Sequence, residues 1–342
     1  MIRVLLLVVL PFAALADPLR IATFNTELSR DGPGLLLRDI TRGDKQVDAV
    51  VAVLVESRPD IVALQGIDWD LDGMTLSALT DALSQAGLSY THSFAEQPNS
   101  GLETALDLDG DGRTQGPGDA QGWGEFTGQA GLAVLSRYPI ARDEVRSFTD
   151  LLWRDLPGAT LPQVDKTPFP SAQAQKVQRL SSTAHWVVPI DTPQGRVDLM
   201  TFHATPPVFD GPEDRNGLRN RDEIRLWQLL LDGALGDPPS AHFVIAGDVN
   251  IDPERGDGRK EAIHNLLADP RLQDPKPRSP AGTLATVEWK GLGEMRVDYV
   301  LPSVTWQVLD AGVYWPAEET PGRDQAETAS RHRLVWVDLV RN

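Results

Sequence analysis

Five short stretches set acid, amide or imidazole groups at the ends of apolar runs. They are Ile21-Ala-Thr-Phe-Asn25, Phe202-His203, Ile245-Ala-Gly-Asp248-Val-Asn250, Arg296-Val-Asp298-Tyr-Val and Ser330-Arg331-His332-Arg333. A strand buried on both faces reads as a continuous apolar run, so a polar residue at its end projects from the edge of the sheet. Residues i and i+2 of extended backbone face the same side, which pairs Asp248 with Asn250. Such groups gathered at one edge could bind a divalent cation, orient a water and protonate a leaving oxygen, and a histidine titrating near neutrality suits the last task. Alone, Gly247-Asp248-Val-Asn250 is also the composition of an Asx-turn after a strand. His92, His185, His242 and His264 lack such company and are read as structural.

The elements that must position these groups are legible from periodicity. Strand-like runs fall at 20–25, 60–65, 132–136, 183–190, 197–204, 243–248, 297–301 and 334–340. Val47, Val50, Val51, Leu54 and Val55 recur with helical spacing, as do Ile224, Trp227, Leu230 and Leu231. Pro59 stops the first helix and feeds the run Ile61-Val-Ala-Leu64. Residues 97–130, rich in glycine and acids, and 205–222, with Pro206, Pro207 and Pro212, read as loops. Tryptophans scattered from Trp123 to Trp336 suggest one shared core, so residues 17–342 are taken as a single domain.

Residues 1–16 have the make-up of a secretory signal: Arg3, an apolar run, and Ala14-Leu-Ala16 as a cleavage site. No later apolar segment has the length of a membrane-spanning helix. The expected location is secreted or periplasmic, and a monomer is expected. With no cysteine, burial must hold the fold without disulfides. A net charge of −17 disfavours nonspecific attraction to a polyphosphate backbone and is compatible with cation binding or with solubility alone.

In their order and spacing, Asn25, Gly247-Asp248-Val-Asn250, Arg296-Val-Asp298-Tyr-Val and Ser330-Arg331-His332 resemble the endonuclease/exonuclease/phosphatase superfamily, from about residue 19 to 340. The resemblance implies an α/β fold, a four-layer sandwich of two packed mixed β-sheets flanked by helices. It also implies metal-assisted, in-line hydrolysis of a phosphate ester, with Mg²⁺ or Mn²⁺ at the site. Carried over, Asp248 orients or deprotonates the water and ligates the cation, and Asn250 holds a phosphate oxygen. Asn25 supports metal or phosphate, His332 contacts the phosphate, Asp298 hydrogen-bonds a catalytic histidine, and His203 protonates the leaving oxygen.

Two departures stand out. The family's glutamate after Leu-Gln is replaced in Leu64-Gln65-Gly66, and Asp68 is the expected substitute ligand. Arg331 stands where an aspartate is expected, and is assigned to the substrate phosphate or an adjacent carboxylate. Arg215 and Asn216, in the loop after His203, are further candidates for a polar wall binding substrate. Lys176 and Arg179 could reach a phosphate or simply lie at the surface.

Asp107-Leu-Asp109-Gly-Asp111-Gly-Arg113 has the front-half spacing of a calcium loop, with the Arg113 carbonyl at the seventh position and no glutamate at the twelfth. It is read as a structural Ca²⁺ site or a solvated acidic turn. The substrate is left as a small molecule, a lipid head group or a nucleic acid. The alternative function is a noncatalytic Ca²⁺-binding or phosphate-ligand-binding protein that keeps the fold.

Overall fold

The structure is a computed structural model and describes residues 17–342; the expected leader over residues 1–16 lies outside them. The strands are β1 (Leu19–Leu28), β2 (Ile61–Ile67), β3 (His92–Phe94), β4 (Gly131–Ser136), β5 (Arg146–Ser147), β6 (Gln163–Val164), β7 (Thr167–Pro168), β8 (His185–Thr192), β9 (Gly195–His203), β10 (Phe243–Asp248), β11 (Val287–Trp289), β12 (Gly293–Met295), β13 (Asp298–Pro302), β14 (Trp306–Val313) and β15 (Val335–Arg341). The helices are α1 (Leu35–Arg42), α2 (Lys45–Ser57), α3 (Met74–Gln85), α4 (Ala174–Val177), α5 (Arg215–Leu231), α6 (Glu261–Leu267) and α7 (Arg323–Ala329).

A six-stranded sheet has the order β14-β15-β1-β2-β4-β3, and a five-stranded sheet β13-β10-β9-β8-β5. Within them β1–β2 and β9–β10 pair parallel, and β1–β15, β2–β4, β8–β9 and β10–β13 antiparallel. Ile21, Ile61 and Val337 of one sheet pack on Leu199, Val244 and Val300 of the other. The far face of the six-stranded sheet buries Phe24, Val62 and Leu64 against Val50, Leu54 and Leu79 of the helices. The far face of the five-stranded sheet buries Met200, Phe202 and Ile245 under Ile224, Trp227 and Ile263. The result is the four-layer α/β sandwich, helix on sheet on sheet on helix. Since both faces of each sheet are covered, β2 is buried from Ile61 to Ile67 and reads as an unbroken apolar run up to Leu64.

Period two explains where the polar groups go. The inter-sheet face reads Leu19, Ile21, Thr23, Asn25 along β1 and Val197, Leu199, Thr201, His203 along β9. Along β10 it reads Val244, Ala246, Asp248. Each face changes from apolar to polar at the same end of the sandwich, and the antiparallel β13 enters that end with Asp298 before Val300.

The expected loop at 205–222 ends early, because α5 already begins at Arg215. Its first turns bury Arg219, Asn220, Asp222 and Glu223, so an apolar period starts only at Ile224. The edge strand β14 was also not apparent, because its exposed Gln307 and Asp310 interrupt the apolar run.

Candidate active site

Asp248 is the hub of the polar end. Its Oδ2 accepts a hydrogen bond from Asn25 Nδ2 at 2.8 Å, and its Oδ1 accepts the Asn250 backbone N–H at 2.8 Å. The ring nitrogens of two histidines approach Oδ2: His203 Nε2 at 3.4 Å and His332 Nδ1 at 3.8 Å. His332 Nδ1 is hydrogen-bonded to Asp298, 2.9 Å from Oδ2 and 3.2 Å from Oδ1. The two sheets are therefore stitched at this end by polar contacts, Asn25 to Asp248 and His332 to Asp298.

Side chains to which the sequence assigned no role in the site hold this arrangement. Thr286 Oγ1 donates to Asp298 Oδ2 at 2.8 Å and accepts the backbone N–H groups of Val297 and Asp298. Ser330 Oγ donates to the Asn25 carbonyl and accepts the His332 N–H. The Trp289 ring stands edge-on to His332, centroids 6.0 Å apart. From α5, the buried Asn220 Nδ2 donates to the carbonyls of both Thr205 and Val249, tying the strand ends that carry His203 and Asp248. Glu223 accepts the backbone N–H groups of Ser182 and Thr205.

Burial pushes the Asp248 carboxyl up, but the His332 and His203 charges and the Asn25 amide outweigh it, so it is held below its ordinary value. Burial dominates at Asp298 and raises it to about 6, with Asp248 adding and His332 opposing. His332 loses solvation yet is raised to about 9, because Asp298 and Asp248 favour its imidazolium. The remote His185 is lowered to about 3 by complete burial, as suits a structural histidine.

Asn25, His203, Asp248, Asn250, Asp298 and His332 thus share one cluster. The Asn250 amide donates to the Ala204 carbonyl at 2.9 Å, which commits one of its two N–H groups to the loop after His203. The other expectations meet a different arrangement. Asp68 does not join the cluster: its two carboxyl oxygens accept the backbone N–H groups of Arg30 and Ala130, at 2.9 and 3.0 Å, and pin the loop after β1 and the turn into β4. Arg215 is drawn to the acidic loop, where it donates to the Leu108 carbonyl and lies among Asp109, Glu213, Asp210 and Asp119. Asn216 bonds to its own loop, from its backbone N–H to Asp210 and from Nδ2 to the Val208 carbonyl. Arg179 pairs with Asp150 and donates to Asn99 Oδ1.

Arg331 takes the carboxylate option. Its Nε donates to Glu27 Oε1 at 2.7 Å, its backbone N–H to Oε2 at 2.7 Å, and Nη2 also meets Oε1. Burial pushes the Glu27 carboxyl up, and the Arg331 bonds outweigh it to hold the group below its ordinary value. Glu27 occupies a bulge where the β1–β2 register shifts between Asn25 and Leu28. Gly66 lies against that bulge: a Cβ there would stand 2.5 Å from Asn25 Oδ1 and 3.1 Å from the Glu27 nitrogen. The absence of a side chain at 66 follows from the path of β1, a relation between strands that the local sequence does not encode.

Among the described residues, two groups of side chains could hold a metal ion. Asp248, Asp298 and His332 each offer an atom within 4.8 Å of the others, as do Asp107, Asp109 and Asp119. The second set corrects the expected calcium loop. Asp111 instead accepts the Arg113 N–H at 2.8 Å, and Asp119 takes its place beside Asp107 and Asp109. The chain doubles back between them, and Asp119 Oδ1 accepts the Leu108 N–H.

Solved structures share this architecture. An endonuclease/exonuclease/phosphatase from Beutenbergia cavernae matches with a TM-score of 0.57 at 18% identity, over 95% of this chain and 72% of that one. A family protein from Leptotrichia buccalis matches with a TM-score of 0.56 at 16% identity, over 94% and 99%. Sphingomyelinase C from Streptomyces griseocarneus matches with a TM-score of 0.50 at 16% identity, over 94% and 99%. No curated protein matches the chain. The model of the Endonuclease/Exonuclease/phosphatase family matches residues 22–332, and members of that family are hydrolases acting on phosphate ester bonds. With the match spanning nearly all the described residues, the chain belongs to the endonuclease/exonuclease/phosphatase family.

Proposed function

We propose that the chain is an exported, metal-dependent phosphoesterase, acting as a monomer and hydrolysing a phosphate ester by in-line attack of water. The observation that carries this reading is the approach of two histidines to one buried carboxylate, His203 Nε2 at 3.4 Å and His332 Nδ1 at 3.8 Å from Asp248 Oδ2. Export rests on the leader-like residues 1–16.

Phosphoryl transfer asks for positioning and charge neutralisation more than for covalent chemistry. Asp248, ionised and fixed by Asn25 and Asn250, orients the attacking water. Asp298 holds Nδ1 of His332, which leaves Nε2 to meet a phosphate oxygen as an imidazolium donor. His203 delivers a proton to the leaving oxygen. Asn250 keeps one amide N–H for a phosphate oxygen after serving Ala204.

The fit of a divalent cation turns on the donor set. Two fully buried carboxylates face one imidazolium, which leaves uncompensated negative charge at the strand ends. Asp248 and Asp298, with the Asn25 amide beside them, would hold the ion, while the protonated His332 ring stays bonded to Asp298. When bound, Mg²⁺ or Mn²⁺ supplies neutralisation of the phosphate oxygens. A separate structural Ca²⁺ is assigned to Asp107, Asp109 and Asp119.

The acidic balance of the chain favours a small phosphate ester or a lipid head group over a long polyanion. The test uses the purified chain with bis-p-nitrophenyl phosphate, p-nitrophenyl phosphate and DNA, in EDTA and with each cation. Metal-stimulated release that His203→Ala and His332→Ala reduce by about two orders of magnitude supports the reading. No turnover of any of these with any cation would leave the noncatalytic alternative standing.

A further inference from the structure

Glu27 is a non-glycine residue in the left-handed region, with φ at 49°, set in a bulge at the end of a buried strand. Such a conformation is strained, and the strain exceeds what a solvent-screened ion pair returns. Pairing with Arg331 for stability alone therefore does not account for the backbone.

What the bulge achieves is geometric. Three donors converge on the Glu27 carboxylate, Arg331 Nε, Nη2 and backbone N–H, and Ser330 Oγ, whose proton goes to the Asn25 carbonyl, lies 3.1 Å from it. A guanidinium gripped through Nε and Nη2 has its plane fixed. Its Nη1 meets no acceptor among the described residues, and the Arg331 side chain stays 64% exposed, one residue from His332. Gly66 leaves the space that the bulge occupies.

The polar cluster favours such a cation: Asp248, Asp298 and Glu27 are carboxylates close to His332, and an approaching phosphate would be repelled unless a fixed donor offsets them. A planar guanidinium suits phosphate oxygens better than a point charge.

We propose that Glu27 is a positioning residue for a phosphate-binding arginine: its carboxylate locks the exposed Arg331 guanidinium on the residue next to His332, so that Nη1 takes a nonbridging oxygen of the substrate phosphate. This rests on the phosphoesterase reading and says how that site holds its substrate. The strained bulge is the structural cost of aiming the guanidinium.

The experiment titrates inorganic phosphate into the purified chain in EDTA by calorimetry, which requires no turnover. Wild type binds, Arg331→Gln weakens binding about tenfold, and Arg331→Lys, with charge but no fork, falls between them. Glu27→Gln weakens phosphate binding at least about threefold and raises KM for bis-p-nitrophenyl phosphate in the same proportion, with kcat within about twofold. Tighter phosphate binding by Glu27→Gln would mean that the carboxylate merely repels anions, and would overturn the proposal. So would unchanged binding by Arg331→Gln, or a loss of Mg²⁺ affinity in Glu27→Gln with phosphate binding intact. Should Glu27→Gln fail to fold, the Arg331 pair and Glu27→Asp carry the same test. If phosphate binding follows the expected order while no variant hydrolyses any ester, the anion site stands and the phosphoesterase reading falls.

Discussion

Asn25 and Asp248 are 223 positions apart and lie on different sheets, yet Nδ2 of the first donates to Oδ2 of the second at 2.8 Å. The bond closes the polar end of the inter-sheet layer and fixes the oxygen that both histidines face. A charge so enclosed is expected to matter more for rate than for folding. Asp248→Asn should lower kcat by at least about a hundredfold, the range of acid–base contributions. Its circular dichroism should match wild type. Parental turnover by this variant would remove Asp248 from the chemistry.

Restoring the glutamate that the family pattern places at 66 should harm the protein. Gly66 has a φ of 69°, and a Cβ there would meet Asn25 Oδ1 at 2.5 Å and the backbone of Glu27. Gly66→Glu is expected to lose about 1–3 kcal/mol in denaturant unfolding, from strain and displacement of Asn25. Gly66→Ala should lose a similar amount, since the clash begins at Cβ. A Gly66→Glu variant with parental stability and increased Mg²⁺ affinity would show that β1 can yield.

Acid should unfold the chain partly through His185. Fully buried, it bonds to Ser181 Oγ at 2.7 Å and to the Glu223 carbonyl at 3.1 Å, and burial lowers it to about 3 from 6.5. The folded state holds it neutral, whereas the unfolded chain takes up a proton below 6.5. Its contribution is complete above pH 6.5 and is lost as pH falls toward 3. His185→Gln should be less stable than wild type at pH 7, with a shallower fall in stability over that window. Parallel curves for the two proteins would assign the acid sensitivity to other groups.

The acidic loop offers a test between two ligand sets. With Ca²⁺ at a hundredfold excess over its dissociation constant, binding to the folded loop stabilises by about 2.7 kcal/mol. Asp119→Asn should abolish that gain, and Asp111→Asn should keep most of it, because Asp111 is turned toward Arg113. A melting point indifferent to both Ca²⁺ and chelator would reduce the loop to a hydrogen-bonded turn.

Much of the site was legible because a doubly covered sheet writes itself as apolar runs, and because a strand end is where such a run turns polar. Asn25, His203, Asp248, Asp298 and His332 were found that way. Thr286 carried no signal, since its role as a hydrogen-bonding partner of Asp298 arises only when two distant segments meet. Asn220 and Glu223 were missed for a related reason: α5 buries polar groups, and hydrophobic periodicity cannot report them. The sequence by itself determined the central strands of both sheets, their polar ends and the resemblance to the family. Only the tertiary structure decided that Asp68 pins loops, that Arg215 belongs to the acidic loop, and that Glu27 takes Arg331. Each depends on which backbone amides or charges a fold brings within hydrogen-bond reach, and that is a property of the packed chain, absent from its local pattern.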